Sequence, residues 1–290
     1  MALVESNIGE TYTSTLTLDE DADVVGSDYE VYASLIHDWG DVVVDAARAT
    51  RVSEGIYSYT FSATNCASSG VHRIKWEYTI DDIDYVKNTY VKIIQQYIDA
   101  DTFFDNHPEY EDEFYDSFDN LEKKVRGVID SYCGQEFQFY SSKTLTFDGN
   151  GKSTMLMPVR VDTLTEILLD TDDDITDSVE ILPSSDWYIR YDKEGDSQIG
   201  ITRTTFTQDA TITVNGDWGW PFVPSNISQA ADILIEDFIS NDRENFRYGI
   251  TRVWMDTQRF DFDPNIFSST GNIDADILLM DYVIFTPEMV

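Results

Sequence analysis

The sequence predicts an α+β protein with two domains: an N-terminal Ig-like β-sandwich, then a small helical bundle with a β-hairpin insertion and an extended C-terminal tail. Residues 1–94 contain short runs of alternating polar and apolar residues between turn signals. Residues 111–133 carry an apolar stripe with helical spacing. The chain has 290 residues, more than one domain usually takes. We therefore expect domain boundaries at 1–95 and 96–290.

Five segments of the first domain have the alternation of half-buried strands. In VHRIKWEYTI, for example, the apolar residues Ile74, Trp76, Tyr78 and Ile80 share one face. The other four are TYTSTLTL, EVYASLI, GIYSYTFSA and YVKNTYVKII. Short strands at this spacing favour a β-sandwich. The antibody Cys–Trp–Cys pattern is absent, so "Ig-like" describes the architecture only.

The second domain alternates between helical and β patterns. A short helical lead-in stops at His107–Pro108, and the most regular helix of the chain spans 111–133, with Gly134 as its predicted C-cap. A second helix is expected at 226–240. The β insertion covers 137–219 and contains two predicted hairpins, turning at Asp148–Gly151 and near Glu194–Gly195. Residues 241–264 show no clear period and are predicted to be a loop, and the tail covers 262–290.

The net charge of −36 and the pI of about 4.1 limit the partners of the protein. Phosphate backbones repel such a surface, which argues against sequence-specific nucleic-acid binding. A protein past which DNA only slides remains compatible with this charge. The acidity itself has two explanations that stay open: a solvated surface that maintains solubility, or adaptation to the salty cytoplasm of a halophilic host.

No segment has the pattern of a targeting signal or a redox site. The N-terminus lacks a basic region followed by a long apolar run, so no signal peptide is expected. No run approaches the roughly 18 apolar residues of a membrane span, so no membrane partner is predicted. Cys66 and Cys133 form neither a disulfide framework nor a metal pattern.

Catalytic and cofactor motifs are also missing, and we expect no enzyme, no cofactor and no metal. His37, His72 and His107 each stand alone in their segments. GNGKST (149–154) resembles the end of a phosphate-binding loop, but Thr146 occupies the position of the required glycine. The acidic runs 18–23 and 169–177 lack the central glycine of an EF-hand loop.

One stretch, NGDWGWPFVPSNISQAA (215–231), crowds two tryptophans and two prolines between the β insertion and the second helix. Pro224 restricts the chain direction where the helix begins. Trp218 and Trp220 are expected to wedge the sheet against the helices. This corner is therefore predicted to be structural.

The second domain resembles the head–tail adaptor (connector) family of tailed phages. The helix ending VRGVIDSYCGQEF (125–137), the β insertion TLTFDGNGKSTMLMPVRVDTLTEILLD (144–170) and the corner each look like a family feature. The resemblance covers about residues 97–290, and the corner is its most specific part. The positions of the corner that match the family pattern are Gly216, Gly219, Trp220, Pro221, Val223, Pro224, Gln229, Ala230 and Ala231.

The resemblance implies a ring, commonly twelvefold, bound to the portal protein at the capsid vertex. Such a ring extends the DNA channel and presents a surface to a neck (stopper) or tail-completion protein. The expected location is the virion neck, assembled in the host cytoplasm, and no catalysis is implied. The alternative is an Ig-like adhesion or decoration module of a virion or cell surface.

The tail is the candidate interface with the portal or with a neighbouring subunit. It carries more apolar residues than a free tail should expose. The opposing possibility is that the tail packs on its own domain. The candidate interface residues are Ile273, Ile277, Leu278, Leu279, Tyr282, Ile284 and Phe285.

Overall fold

In the computed structural model, the chain divides into two compact units, and its α+β class is confirmed. The first unit comprises residues 1–95 and 139–144, and the second comprises 96–138 and 145–290. Segment 139–144, expected in the β insertion of the second domain, therefore belongs to the first unit. The structure describes residues 4–18, 30–53, 55–80, 82–170, 179–191, 197–202, 204–208, 210–241, 252–255, 258–261 and 270–284.

The first unit contains a five-stranded sheet, in the order β1-β8-β7-β3-β4, and a three-stranded sheet, in the order β2-β6-β5. The five predicted strands correspond to β2, β3, β6, β7 and β8, whereas β1, β4 and β5 were not expected. β1 pairs with β8 in parallel. The bounds are β1 Val4–Asn7, β2 Tyr12–Thr17, β3 Val31–Ile36, β4 Val42–Arg48, β5 Thr50–Ser53, β6 Ile56–Phe61, β7 Gly70–Ile80 and β8 Ile83–Ile94.

The two sheets of the first unit share one apolar core, as a β-sandwich requires. Ile74 and Trp76 on β7 are fully buried, and Tyr78 and Ile80 pack at the edge of the same core. From the other sheet, Leu16 on β2 and Phe61 on β6 complete it. The predicted inward face of β7 is thus confirmed, because side chains alternate across a strand.

Five helices lie in the described part of the second unit. The predicted helix 111–133 is interrupted: a 3₁₀ turn, Tyr115–Ser117, separates α2 from α3. The Ser117 hydroxyl donates to the Phe114 carbonyl at 3.1 Å, a local bond that competes with the helical ladder. Gly134, with φ of 67°, ends α3 as predicted. The helices are α1 Ala100–Asn106, α2 Glu111–Phe114, α3 Phe118–Cys133, α4 Ser225–Asn241 and α5 Ile273–Leu279.

From residue 139 onward, the described ranges contain nine further strands, β9 to β17. They form a four-stranded sheet in the order β12-β11-β15-β9, a three-stranded sheet in the order β10-β14-β13, and a β16–β17 pair. Their bounds are β9 Phe139–Asp148, β10 Thr154–Leu156, β11 Val161–Asp170, β12 Val179–Ile181, β13 Trp187–Tyr191, β14 Ser197–Ile201, β15 Thr211–Gly219, β16 Arg252–Met255 and β17 Gln258–Asp261.

Two of the β predictions for this region were wrong, and one is confirmed. β13 and β14 pair antiparallel, as the second predicted hairpin required. Its predicted turn near residues 194–195 lies outside the described residues. Asp148–Gly151 does not close a hairpin, because β9 joins the sheet of β15 while β10 pairs with β14. Instead, the Gly149 and Gly151 amides donate to the Ala210 and Phe206 carbonyls. Residues 252–255 and 258–261, expected as loop, form the antiparallel pair β16–β17.

The core of the second unit lies among α1, α3, α4 and α5. Phe103, Phe118, Ile129, Leu234 and Leu279 are each fully shielded from solvent. The predicted apolar faces of α3 and α4 supply most of this cluster, as amphipathic helices do. Of the helices in the described ranges, none is long and apolar enough to cross a membrane.

Candidate functional site

The aromatic corner connects β15 to α4 and is buried at both tryptophans. Trp218 is fully buried, and Trp220 is 6% exposed. The Gly219 amide donates to the Arg160 carbonyl at 2.7 Å, and the Trp220 amide donates to the Gln138 carbonyl at 2.9 Å. The corner is therefore bonded both to the start of β11 and to the segment that follows α3.

The Trp220 ring is the centre of an aromatic cluster. Its centroid lies 5.4 Å from that of Phe137 and 5.7 Å from that of Tyr282, and those two rings are 5.6 Å apart. The Arg160 guanidinium lies 4.3 Å from the Trp220 centroid, within cation–π range. Three segments distant in sequence thus meet at one indole.

Two glycines of the corner are required by the backbone. A Cβ on Gly216 would lie 2.2 Å from the Thr163 carbonyl oxygen, because the paired strand β11 lies close to Gly216 at this irregular point of the ladder. Gly219 has a φ of 86°, in the left-handed region that glycine tolerates best. The close approach of β11 therefore explains the glycine at position 216, and the positive φ explains the glycine at position 219.

The two prolines flank an exposed aromatic residue. Pro221, Val223 and Pro224 are half-buried, and Val223 packs against the helical core. Phe222, between them, is 83% exposed. The Pro224 carbonyl accepts hydrogen bonds from the Ile227 and Ser228 amides in the first turn of α4. Phe222 is a surface aromatic that sequence reasoning did not single out.

The tail residues divide between core and surface. Leu279 and Tyr282 are buried in their own unit, and Leu278 and Ile284 are partly buried. The Ile284 amide donates to the Cys133 carbonyl at 2.8 Å, which fixes the tail to the end of α3. Phe285 lies outside the described residues.

The opposite side of the tail helix presents an exposed apolar stripe. Ile273, Ile277 and Met280 are 76%, 60% and 62% exposed. Spacings of four and three residues place them on one side of α5 and the turn that follows it. Of the candidate interface residues, Ile273 and Ile277 are thus the ones that a partner can reach most directly.

No family model and no curated protein matches the chain. The solved structures to which the chain is weakly similar include two at 11% sequence identity. One is a chain from "Neck of empty GTA particle", with a TM-score of 0.37, covering 66% of this chain and 91% of that chain. The other is trypsin-activated alpha-2-macroglobulin from Escherichia coli, with a TM-score of 0.24, covering 75% of this chain and 15% of that chain.

A buried polar network fastens the start of the second unit to α3. The Tyr97 amide donates to Glu122 Oε1 at 3.0 Å, and the Tyr97 hydroxyl donates to Asp130. The Phe137 amide donates to the Tyr97 hydroxyl oxygen at 2.9 Å. Arg126 Nε lies 3.3 Å from Glu122 Oε2, and both of these side chains are buried. The Arg126 and Glu122 charges therefore neutralise each other in a region that is shielded from water.

Burial raises the pKa of Asp130 to about 7, and the Glu136 and Glu122 carboxylates act in the same direction. The Tyr97 hydrogen bond and the Arg126 charge oppose this shift. Burial likewise raises the pKa of Tyr97 far above its usual value. A carboxyl group with this pKa resembles a general acid or base, but here its bonds to Tyr97 join two segments of the same core.

The structure brings together two histidines that looked isolated in the sequence. His37 Nδ1 lies 2.8 Å from His72 Nδ1, and His72 Nε2 lies 2.9 Å from the Ser68 carbonyl. Because a carbonyl only accepts, His72 must carry its proton on Nε2, so His37 donates from Nδ1. The His37 ring also stacks on Trp39, with 4.2 Å between centroids.

His72 is buried and His37 is half-buried, and the pKa of each is lowered. Burial, and then the neighbouring His72, lower the pKa of His37 to about 4, while Asp41 opposes the shift. Burial also lowers the pKa of His72. Across the described ranges, no group of three or more His, Cys, Asp or Glu residues is placed to hold a metal ion. Most of the two acidic runs lies outside the described residues.

Proposed function

We propose that this protein is a structural virion subunit, a head–tail adaptor that docks as a ring on the portal of a tailed phage. In this role it extends the DNA channel and joins it to a neck or tail component. The observation that carries the proposal is the corner Gly216–Pro224. Three of the residues that match the adaptor pattern, Gly216, Gly219 and Trp220, occupy positions where the local backbone or core restricts the side chain.

The corner supports the proposal because three of the matched positions meet distinct structural requirements. Gly216 admits the β11 backbone, Gly219 adopts a positive φ, and Trp220 fills the core against Phe137 and Tyr282. The elements follow the order that the adaptor resemblance implies: α3, β insertion, corner, α4 and tail helix. We infer that the second unit is the assembling part of the protein.

The exposed apolar side chains supply surfaces for assembly. A cyclic ring brings two different faces of each subunit together, so an adaptor needs more than one contact region. Phe222 and the stripe Ile273–Ile277–Met280 are exposed apolar features of the second unit. We assign the stripe to the contact with the portal or a neighbouring subunit, and Phe222 to a further subunit contact.

The charge is compatible with a channel that DNA traverses. At a net charge of −36, like-charge repulsion extends over a Debye length of about 8 Å at physiological salt and discourages DNA from binding. The proposed role needs no catalytic residue, no cofactor and no membrane. It places the protein at the portal vertex of the virion, in a cyclic homo-oligomer.

The test is to mix the purified full-length protein with the portal ring of the same particle and to image the mixture by electron microscopy at low and high salt. We expect additional ring density at the narrow end of the portal. The double variant Ile273→Asp/Ile277→Asp should abolish this ring density, because two carboxylates replace the exposed apolar side chains of the proposed contact. The matched control is Val42→Asp/Val52→Asp, at similarly exposed positions of the first unit. Absence of association at either salt, with the portal intact, would refute the proposal.

A second candidate function rests on the first unit. Its two sheets enclose their own core, so it has the organisation of a self-contained β-sandwich. Such a module suits adhesion or decoration of a virion or cell surface. This alternative predicts binding of the full-length protein to capsids that lack a portal, and a portal-dependent association would argue against it.

A further inference from the structure

The tail helix α5 is apolar on two sides. Ala275 and Leu279 belong to the core of the second unit, whereas the stripe Ile273–Ile277–Met280 lies on the opposite side and is exposed. A helix that is apolar all round is normally covered all round, because each apolar face gains free energy when it leaves water. The exposed stripe is therefore a surface that needs a partner to cover it.

Exposed carboxylates stand beside this stripe. Asp274 and Asp281 are both exposed, and the seven residues between their positions are close to two helical turns, so they lie on one flank of the stripe. Charges that flank an apolar helix seam select the partner, because the facing positions must carry the opposite charge. The surface that covers the stripe should therefore combine a helical face with cations.

Among the five helices of the described ranges, α3 is the one that contains Lys or Arg. The sequences of α1, α2, α4 and α5 contain neither residue type, whereas α3 carries Lys123, Lys124 and Arg126. Arg126 is buried beside Glu122, but Lys123 and Lys124 are exposed on the side of α3 that lies away from the core. In a chain with a net charge of −36, this outer face of α3 is the helical surface that matches an acid-flanked stripe.

The outer face of α3 also has the residue spacing of the stripe. Its exposed residues Asn120, Lys124, Gly127 and Ser131 follow one another at intervals of four, three and four residues. Seams with this shared spacing allow two helices to pack along their lengths, with the side chains of one in the gaps of the other. A Cβ on Gly127 would meet no atom within 4 Å, so the middle of the face is open to an incoming side chain. The aliphatic stem of a lysine can cover apolar surface while its ammonium meets a carboxylate.

We propose that the α5 stripe of one copy packs on the outer face of α3 of the next copy, with Lys123 and Lys124 beside Asp274 and Asp281. The occupant of each surface is thus a second copy of this chain. The two surfaces are different parts of the unit and both are exposed in their own copy, so the contact is heterologous and repeats from copy to copy, as a ring requires. This inference rests on the proposed adaptor function and names the neighbouring subunit, rather than the portal, as the partner of the stripe.

Site-directed cross-linking tests the contact in the full-length protein. One variant carries Gly127→Cys and a second carries Ile277→Cys, while the native Cys66 and Cys133 are buried. The two variants are mixed at high concentration, with and without the portal ring, and treated with a short bis-maleimide. We expect a cross-link between positions 127 and 277, identified by mass spectrometry of the linked peptides, and no dimer when either variant is treated alone.

A matched control separates a specific contact from random collision. Leu156 is an apolar residue of the same unit that is 63% exposed and lies outside both surfaces, so Leu156→Cys takes the place of Ile277→Cys. Its mixture with Gly127→Cys should give no cross-link. Equal yields in the two mixtures would overturn the proposal, and so would the absence of the 127–277 cross-link both with and without the portal.

The same experiment distinguishes this contact from the adaptor function itself. Ring density on the portal without the 127–277 cross-link would overturn the contact and leave the adaptor function standing. The cross-link in the absence of any portal binding would support the contact and count against the adaptor function.

Charge reversal tests the pairing of the two surfaces. Lys123→Glu/Lys124→Glu in the copy with the cysteine on α3 should lower the cross-link yield about tenfold, because carboxylates then face Asp274 and Asp281. Asp274→Lys/Asp281→Lys in the copy with the cysteine on α5 should restore the yield. An unchanged yield after the first reversal, or no recovery after the second, would refute the assignment.

Discussion

The Arg160 guanidinium lies over the indole of Trp220, 4.3 Å from the ring centroid, and Arg160 Nη1 donates to the Gly219 carbonyl at 3.3 Å. The Gly219 amide in turn donates to the Arg160 carbonyl. Arg160, the residue before β11, thus contacts the corner through its guanidinium and through its backbone carbonyl. This reciprocal contact fixes Gly219 and Trp220 against the residue that precedes β11.

Trp220→Ala should destabilise the second unit by about 3–5 kcal/mol, because it removes a large buried aromatic side chain from contact with Phe137 and Tyr282. Hydrogen-exchange protection of the α4 amides measures the effect in that unit. Phe222→Ala, two residues away and 83% exposed in the native chain, is the control and should change stability by less than about 0.5 kcal/mol. Unchanged protection in Trp220→Ala would contradict the structural role of the corner.

Gly216→Ala should be destabilising by about 1–3 kcal/mol or more, because its Cβ would meet the Thr163 carbonyl at 2.2 Å and the two strands must separate. Gly127→Ala is the matched control substitution, and we expect it to change the free energy of unfolding in the opposite direction. Gly127 lies exposed within α3 with open space around its Cβ position, so alanine should stabilise the unit by about 0.5–1 kcal/mol. Urea denaturation measures the free energy of unfolding of both variants. Equal changes in the two variants would be inconsistent with the close approach of β11 to Gly216.

Asp130 should make the second unit more stable at acidic than at neutral pH. Its pKa is raised to about 7 from 3.8, so the folded state binds the proton more tightly than the unfolded state. This contribution is fully present below about pH 4 and is lost as the pH rises to about 7.

Asp130→Asn should remove this contribution while keeping an oxygen that accepts from Tyr97. The measurement is the free energy of unfolding at several pH values, compared with the wild type. Asp116→Asn, at an exposed position of the 3₁₀ turn, is the control and should leave the pH dependence unchanged. A wild-type curve parallel to that of Asp130→Asn would contradict the assignment.

His37 should titrate near pH 4, well below an ordinary histidine. Its folded pKa is lowered from 6.5, so its contribution to stability is present above pH 6.5 and is lost as the pH falls towards 4. Ring-proton NMR shifts measure the pKa directly. His72→Gln should raise it, because the neighbouring imidazole contributes to the shift. A pKa of His37 near 6.5 in the wild type would show that the pair is not buried in solution.

The spacing of apolar residues predicted those helices and strands that bury one face in a single core. Ile74 and Trp76 alternate on β7, and the apolar stripe of α3 buries Phe118, Val125 and Ile129. The pattern failed for β4 and β5, since these strands have mixed or wholly exposed side chains and carry no alternation to detect. β1 was missed because it has four residues and derives its place from parallel pairing with β8.

The sequence by itself determined the aromatic corner, the end of α3 at Gly134 and the strong negative charge, because each depends on residue type or on short-range geometry. Tertiary structure alone decided that Asp148–Gly151 is not a hairpin turn, that Ile273 and Ile277 remain exposed while Leu279 is buried, and that His37 meets His72 from 35 residues away. These outcomes depend on which residues, distant in sequence, pack against each surface in the folded unit. Spacing along the chain does not record that information, since pairing partners are selected by the packing of the whole unit.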